Sequence, residues 1–308
     1  MNFSPLLLGW YSQHQRTLPW RTNNSPYYVL VSEFMLQQTQ VPRVIEKFKE
    51  FTTKFPTIQD LAKASKAEVI DSWSGLGYNK RALLLHKFAQ EACEKYDGEI
   101  PQTKEQLQEL PGMGPYTTGA ILSFAYNLPE PAIDVNVRRI YLRFFQGKDQ
   151  GLPMGKKEEQ ELYDLAKKTI PKNKSAEFHN ALMDFGSSVC TRNNPSCSAC
   201  PLQSSCIFFP LYKNQKEKVL FVMEKRKEPG IMENGRYIPN RIFRGRIVEF
   251  TRRSQGKAIS LPDLGKIIKK DYSSQNEEWL LSLLDRLRGD GLLAYQLDNH
   301  NIILFLPQ

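Results

Sequence analysis

The strongest constraint on the fold is a short stretch, CTRNNPSCSACPLQSSC, that holds four of the five cysteines of the chain. These residues are Cys190, Cys197, Cys200 and Cys206. Thiols so close together are used for disulfides, for a structural zinc ion or for an iron-sulfur cluster. The remaining cysteine, Cys93, lies in a helical pattern and is expected to pack in a core.

Whether the cysteines can form structural disulfides depends on the cellular compartment of the protein. The N-terminal sequence MNFSPLLLGWYSQHQR has neither the basic start nor the long apolar run of a signal peptide. No stretch approaches the roughly 18 apolar residues that a membrane span needs. We therefore expect a cytoplasmic protein without a membrane partner, in a compartment where structural disulfides are rare.

Cysteine spacing separates zinc from an iron-sulfur cluster. The gaps between the four cysteines are six, two and five residues, and none of the four histidines lies among them. A structural zinc ion commonly uses two closely spaced pairs, whereas ligation by four cysteines is the rule for a [4Fe-4S] cluster. The spacing favours the cluster, and zinc stays as the alternative.

The pattern of apolar residues predicts a mainly α-helical first domain at residues 1–212. Apolar positions recur every three or four residues in PRVIEKFKEFTTKF, KRALLLHKFAQEACEKY and EEQELYDLAKKTI. Short loops with Gly or Pro separate these helices. The composition changes at YKNQKEK, so we expect a linker at residues 213–236.

The sequence pattern of residues 237–308 predicts a small winged-helix-like α+β domain. Three helical patterns are followed by two strand patterns, LLAYQL and NIILFL, joined by DNHN. Residues 215–308 carry a net charge of +5 of the +9 of the whole chain, and a basic balance favours an anionic partner such as nucleic acid. We expect this domain to bind DNA, and a helical cap packed on the first domain is the alternative.

Two further motifs carry candidate functional residues. Gly112 and Gly114 lie in LPGMGPY just before a helix, where backbone amides can bind a phosphate, although a plain helix connector has the same pattern. Glu33 lies inside the apolar run YYVLVSEFMLQQTQV. Its carboxyl group belongs either to a narrow polar stripe with Ser32 and Gln37 or to a buried site, where its pKa is raised.

Five motifs together resemble the MutY adenine glycosylases of the endonuclease III helix-hairpin-helix superfamily. They are LPWR, SEFMLQQTQV, GLGY, LPGMGPYTTGA and the cysteine stretch, in the family's order over about residues 1–212. The resemblance implies a helix-hairpin-helix DNA glycosylase fold with a [4Fe-4S] loop at residues 190–206. It implies a monomeric enzyme of base excision repair, associated with the nucleoid, that acts on double-stranded DNA containing a mismatched or oxidised base pair.

The resemblance also implies the catalytic residues. Glu33 would protonate the flipped adenine and later act as a base, Asp134 would stabilise the positive sugar, and Tyr116 would support the acid chemistry. Bifunctional relatives have a lysine where this chain has Tyr116, so a monofunctional enzyme is expected. From the residues alone, Asp134 also fits the N-cap of the helix VNVRRIYLRFF.

A second set of residues is expected to contact DNA. Gln38 and Tyr78 resemble the family's wedge residues beside the flipped nucleotide and the opposite base, with Leu36 assisting. Arg16 and Trp20 resemble residues around the adenine pocket, and Arg21 is either a phosphate contact or a surface charge. Gly112 and Gly114 of the hairpin are expected to position the duplex without reading sequence.

The sequence departs from the family at several positions. Asn180 stands where the family has Glu or Gln against the base, Val135 replaces a glycine, and Asn79 replaces a tyrosine. The C-terminal third has no Phe-Ser-His loop and no Nudix-like pattern. Two alternatives to adenine excision therefore stay open: a glycosylase for thymine or uracil opposite guanine, and a non-catalytic iron-sulfur DNA-binding regulator.

Overall fold

A computed structural model describes residues 2–149, 154–214, 228–254, 256–298 and 301–307. The helices are α1 (Phe3–His14), α2 (Pro19–Thr22), α3 (Pro26–Leu36), α4 (Val41–Lys54), α5 (Ile58–Lys63), α6 (Lys66–Ser72), α7 (Lys80–Tyr96), α8 (Lys104–Gln108), α9 (Pro115–Ala120), α10 (Val135–Gln146), α11 (Lys156–Thr169), α12 (Ser175–Ser188), α13 (Phe208–Asn214), α14 (Asn240–Ser254), α15 (Leu261–Ile268) and α16 (Glu277–Gly289). The strands are β1 (Gly230–Glu233), β2 (Arg236–Pro239), β3 (Ala258–Ser260), β4 (Ala294–Asp298) and β5 (Asn301–Phe305). The predicted mainly α fold with a small C-terminal α+β region is confirmed. None of the helices in these ranges is long and apolar enough to cross a membrane.

The chain divides into two compact units. The first contains residues 1–33 and 100–225, and the second contains residues 34–99 and 226–308. The division falls within α3, after Glu33. The domain limits expected at residues 212 and 237 stay a prediction.

The core of the first unit is built around Phe3 at the start of α1. Its ring centroid lies 5.5 Å from that of Tyr141, 4.8 Å from that of Phe144 and 6.1 Å from that of Phe178. Phe3 is 1% exposed, so α1, α10 and α12 share one aromatic core. This packing holds α10 and α12, which flank the candidate site and lead into the cysteine stretch.

In the second unit, the C-terminal region packs directly on α6 and α7. Ile70 of α6 is fully buried in the same apolar core as residues of α14, α15 and α16, and Leu83 of α7 packs against that core. Arg252 donates a hydrogen bond to the Ile70 carbonyl at 2.5 Å, and Lys80 pairs with Asp290 at 3.2 Å. The C-terminal region therefore shares a core with residues 34–99.

The C-terminal region contains three strands that the sequence analysis missed. Strand β3 joins the predicted hairpin to give the antiparallel order β3-β5-β4. Strands β1 and β2 form a second hairpin whose turn residues, Asn234 and Gly235, both have positive φ, 48° and 74°. Asn-Gly is the strongest short-range hairpin signal, and it lies in the segment expected to be a linker. Residues 299 and 300 of the DNHN turn lie outside the described residues.

Candidate active site

Glu33 is buried in α3 rather than part of a polar stripe. Glu33 is 7% exposed. The neighbouring Ser32 is fully buried, and its hydroxyl donates a hydrogen bond to the Val29 carbonyl at 2.8 Å. Burial raises the pKa of the Glu33 carboxyl to about 7, and the negative charge of Asp134 adds to the rise. A hydrogen bond from Tyr116 acts in the opposite direction on this pKa. A carboxyl group that is half protonated near neutral pH is suited to general acid catalysis.

Tyr116 lies in the first turn of α9, directly after the glycine turn. Burial and the carboxylates of Glu33 and Asp134 raise the pKa of its phenol well above the usual value. The phenol therefore stays protonated and donates a hydrogen bond to the ionised form of Glu33. The structure thus brings together the three residues expected to be catalytic.

Asp134 caps the N-terminus of α10, as its position before VNV predicted. Its Oδ1 accepts the backbone amides of Asn136 at 2.8 Å and Val137 at 2.7 Å, and its Oδ2 accepts the side-chain amide of Asn136 at 2.8 Å. Asp134 is thus fixed in orientation as an acceptor, while Val135 beside it is 66% exposed.

The loop before Asp134 lies close to α9 because α9 has a glycine at the contact. A Cβ on Gly119 would lie 2.2 Å from the carbonyl oxygen of Pro131. On the other side of this loop, the buried His179 accepts the Ala132 amide at 3.2 Å. Burial lowers the pKa of His179 to about 4, so the imidazole is neutral and can accept this hydrogen bond. Gly119 and His179 were missed by the sequence analysis.

A hydrogen-bonded chain joins Asp134 to the cysteine stretch. Asn136 accepts from Arg139 at 2.9 Å, and Arg139 also donates to the Gly186 carbonyl and the Cys190 carbonyl, each at 2.7 Å. Arg139 is 2% exposed, and burial is the main cause that lowers its pKa. The backbone at Cys190 is thereby held from the same helix that Asp134 caps.

The four cysteines of the stretch lie close enough together to influence one another's pKa. All are half-buried, and each of Cys197, Cys200 and Cys206 has its pKa raised by burial and by the other thiols. Arg143, 3% exposed, donates to the carbonyls of Thr191 and Arg192 at 2.8 and 2.9 Å. Within the described residues, no three or more His, Cys, Asp or Glu side chains are grouped to hold one metal ion. Two buried arginines, Arg139 and Arg143, therefore lie next to this stretch.

Asp184 of α12 organises the arginines that follow α1. It is 2% exposed and accepts from the Arg16 backbone amide at 3.1 Å and from Arg16 Nε at 2.6 Å. The Arg21 guanidinium binds both of its carboxylate oxygens, at 2.8 and 2.9 Å. Arg21 is therefore a buried structural cation, and its charge also acts on Glu33. No pattern in the sequence pointed to Asp184.

Two other residues expected near the base lie in the same unit. Trp20 in α2 is 7% exposed and belongs to the core. Asn180 lies on α12 and is partly accessible. Their expected contacts with adenine stay predictions.

Two backbone amides of the glycine turn already donate hydrogen bonds to carbonyls within the turn. Gly112 has φ of +80°, which requires a glycine, whereas Gly114 has φ of −77°. The Met113 amide donates to the Leu110 carbonyl and the Gly114 amide donates to the Gly112 carbonyl, at 3.3 and 3.2 Å. The amides best placed for a phosphate are therefore in the first turn of α9, where helix geometry supplies no acceptor.

The expected wedge residues lie in the second unit, in two turns of unusual backbone geometry. Gln38 and Tyr78 both have positive φ, 57° and 48°, and both side chains are exposed, Tyr78 by 40%. Leu36 is the last residue of α3. Left-handed conformations of bulky residues are rare and must be stabilised by their surroundings.

Arg81 provides that stabilisation. Its Nη1 donates to the carbonyls of Phe34 and Met35, both at 2.8 Å, and to that of Gln37. Its Nη2 donates to the Gly77 carbonyl at 3.0 Å, and the guanidinium lies over the Tyr78 ring at 5.6 Å. Arg81 is 6% exposed, no carboxylate in the described ranges pairs with it, and burial lowers its pKa to about 10. One buried cation thus ties the Gln38 turn to the Tyr78 turn.

Known proteins are similar in sequence to the part of the chain that contains this site. The family model of the HhH-GPD superfamily base excision DNA repair proteins matches residues 31–168. The adenine DNA glycosylase of Buchnera aphidicola is 40% identical over 206 residues, which are 67% of this chain and 58% of that protein. The human adenine DNA glycosylase is 41% identical over 214 residues, 66% of this chain and 39% of that protein.

A solved structure extends the comparison to the fold. A thermostable thymine-DNA glycosylase is 28% identical with a TM-score of 0.63, covering 68% of this chain and 95% of that one. The chain spans 58% and 39% of the lengths of the two adenine glycosylases. The part of the chain that the family model matches contains Glu33, Tyr116 and Asp134. Residues 31–168 therefore carry a domain of the HhH-GPD superfamily of base excision DNA repair proteins, and about two-thirds of the chain is similar to adenine DNA glycosylases.

Proposed function

We propose that this protein is a monofunctional DNA glycosylase that removes adenine mispaired with 8-oxoguanine or guanine. The observation that carries the proposal is the buried carboxyl group of Glu33, with a pKa near 7, hydrogen-bonded to Tyr116 and close enough to Asp134 for their charges to interact. Hydrolysis of an N-glycosidic bond needs one carboxyl group that donates a proton and one that stays ionised. Glu33 is suited to the first role, and Asp134, whose carboxyl oxygens accept three hydrogen bonds, is assigned the second.

Glu33 acts first as the acid. Its proton is transferred to N7 of the flipped adenine, which makes the base a better leaving group as the bond to C1′ breaks. The carboxylate that remains then accepts a proton from the water that attacks C1′. The Tyr116 hydroxyl donates to Glu33 and stabilises this charged form.

Asp134 stabilises the positive charge that develops on the deoxyribose. Its orientation is fixed by the N-terminus of α10 and by Asn136, so little reorganisation is needed during the reaction. Tyr116 carries no amine and cannot form a Schiff base with the sugar. The product is therefore an abasic site in an intact strand, and borohydride should trap no covalent enzyme-DNA adduct.

DNA binding uses both units of the chain. The first-turn amides of α9, with Gly112 and Gly114, bind a backbone phosphate and position the duplex. Gln38 and Tyr78 enter the base stack when the adenine leaves it, and Leu36 assists. The C-terminal region at 237–308 is proposed to add DNA contacts, in a monomer that acts on DNA in the cytoplasm.

The [4Fe-4S] cluster would be held by Cys190, Cys197, Cys200 and Cys206, and when bound it supplies a rigid anionic centre to the loop. Protein purified without oxygen should contain about four irons and four sulfides per chain. Cys200→Ser should lower the iron content, whereas Cys93→Ser should leave it unchanged. Zinc in place of iron would contradict the cluster.

One panel of duplexes tests the reaction. Wild-type protein is incubated with adenine opposite 8-oxoguanine, adenine opposite guanine, thymine opposite guanine and uracil opposite guanine, and abasic sites are then cleaved with alkali. The proposal expects cleavage at adenine. Cleavage at thymine or uracil would favour the activity named for the thymine-DNA glycosylase that shares this fold. Tight binding without any cleavage would indicate a non-catalytic regulator.

A further inference from the structure

A second arginine contacts Tyr78, and it comes from the C-terminal region. The guanidinium of Arg241, at the start of α14, lies over the Tyr78 ring at 5.8 Å from its centroid. Arg241 and Tyr78 both belong to the second unit. The Arg241 side chain is 47% exposed, so its free end is accessible to a ligand that reaches Tyr78.

Among the described residues, the Arg241 guanidinium has one hydrogen-bond partner. Nε donates to Glu228 Oε2 at 2.8 Å, and no described residue accepts from the two terminal nitrogens. The hydroxyl of Tyr237 donates to the Glu228 carbonyl at 2.5 Å, which fixes the backbone at Glu228. Arg241 therefore keeps two terminal nitrogens that no described residue binds, on a side chain that is 47% exposed.

The Glu228 carboxylate affects which kind of ligand can bind to the Arg241 guanidinium. A phosphate brings a negative charge next to the Glu228 carboxylate, and like charges at close distance repel. The edge of a nucleobase is neutral and loses nothing from that carboxylate. Two parallel donors match two acceptors on one base edge, which is the most frequent specific contact of arginine with guanine.

We propose that Arg241 is a specificity-determining residue that recognises the guanine-type base opposite the excised adenine. The inference rests on the proposed function, because it uses Tyr78 as the wedge beside that base. Guanine presents O6 and N7 as two adjacent acceptors on one edge, whereas 8-oxoguanine has a donor at N7–H and offers the guanidinium one acceptor at a time, O6 or O8. Cytosine presents an amino donor there, which the guanidinium cannot bind.

The test measures binding, so that it does not depend on which base is excised. Full-length protein is titrated with duplexes that carry a tetrahydrofuran abasic analogue opposite 8-oxoguanine, guanine, cytosine or thymine. Arg241→Ala and Arg241→Lys are compared with wild type. Arg253→Ala is the matched control, since Arg253 is an exposed arginine at the other end of α14 that pairs with Glu249 at 2.8 Å.

Wild type should prefer guanine or 8-oxoguanine over cytosine. Both Arg241 variants should reduce that preference by about tenfold, because lysine keeps the charge but not the two-donor edge. The control should keep the preference. The inference is overturned if Arg241→Lys binds as wild type, or if Arg241→Ala weakens all four duplexes equally with a salt slope smaller by about one, since both results indicate a phosphate contact.

This titration, together with the panel of duplexes that measures base excision, separates the inference from the proposed function. If wild type excises no adenine but Arg241→Ala still loses its preference for guanine, the proposed reaction fails and the role of Arg241 stands. If wild type excises adenine and Arg241→Ala keeps its preference, the opposite conclusion follows.

Discussion

The phenol of Tyr116 is hydrogen-bonded to the carboxyl group of Glu33, and this contact lowers a pKa that burial has raised to about 7. Tyr116 thereby limits how strongly Glu33 holds its proton. Base release that needs protonated Glu33 should slow as the pH rises above about 7.

Tyr116→Phe should move this decline to higher pH, because the variant lacks the hydrogen bond that favours the carboxylate. The measurement is the rate of single-turnover base release as a function of pH. Tyr163→Phe is the control, since its hydroxyl binds a different carboxylate, Glu130, at 2.5 Å. A decline that stays in place, or moves to lower pH, would contradict the pairing of Tyr116 with Glu33.

Glu33 should cost stability at alkaline pH. The folded protein holds the Glu33 proton more tightly than the unfolded chain does. The contribution of protonated Glu33 to the free energy of unfolding is therefore lost as the pH rises from about 4.5 to about 7. Glu33→Gln should increase the free energy of unfolding at pH ~8 by up to about 3 kcal/mol, and should have little effect at pH ~4.5.

Urea denaturation at both pH values measures this difference. Glu94→Gln, at an exposed position on α7, should show no such pH-dependent gain. An equal effect of Glu33→Gln at the two pH values would mean that the carboxyl group is not buried as described.

Gly119→Ala should be destabilising because its Cβ would lie 2.2 Å from the Pro131 carbonyl oxygen. The backbone before Asp134 would have to move, at a cost of about 1–3 kcal/mol. Gly9→Ala in α1 is the matched control: a Cβ there meets no atom within 4 Å, and alanine should stabilise the helix by about 0.5–1 kcal/mol. Thermal unfolding of both variants checks the difference in sign. Equal effects would show that α9 is not packed against this loop.

Arg81→Lys should loosen both wedge turns. Lysine cannot reach the carbonyls on both sides, so buried acceptors lose their donor at a cost of about 2–4 kcal/mol. Arg43→Lys, at an exposed position of α4, should be neutral. Besides stability, the fluorescence of 2-aminopurine at the target position reports base flipping, which should decrease in Arg81→Lys under conditions where the variant is fully folded. Normal flipping would show that Arg81 has only a stabilising role.

The sequence predicted the elements better than their contacts. Asp134 could be identified as an N-cap because capping depends on residues two and three positions away, and the helices follow from local periodicity. The burial of Glu33 could not be decided from its apolar neighbours, since it depends on what packs on α3. Arg81 was missed for the same reason, because its acceptors are backbone carbonyls that no side-chain pattern reveals. Only the Asn234–Gly235 turn had a local signal that was overlooked.

The account depends most directly on Glu33 and Asp134, and single-turnover release of adenine opposite 8-oxoguanine tests both. Wild-type protein should release the base, whereas Glu33→Gln and Asp134→Asn should each be slower by at least about 100-fold. Near-normal release by either variant would contradict the assignment of proton donor and charge stabiliser.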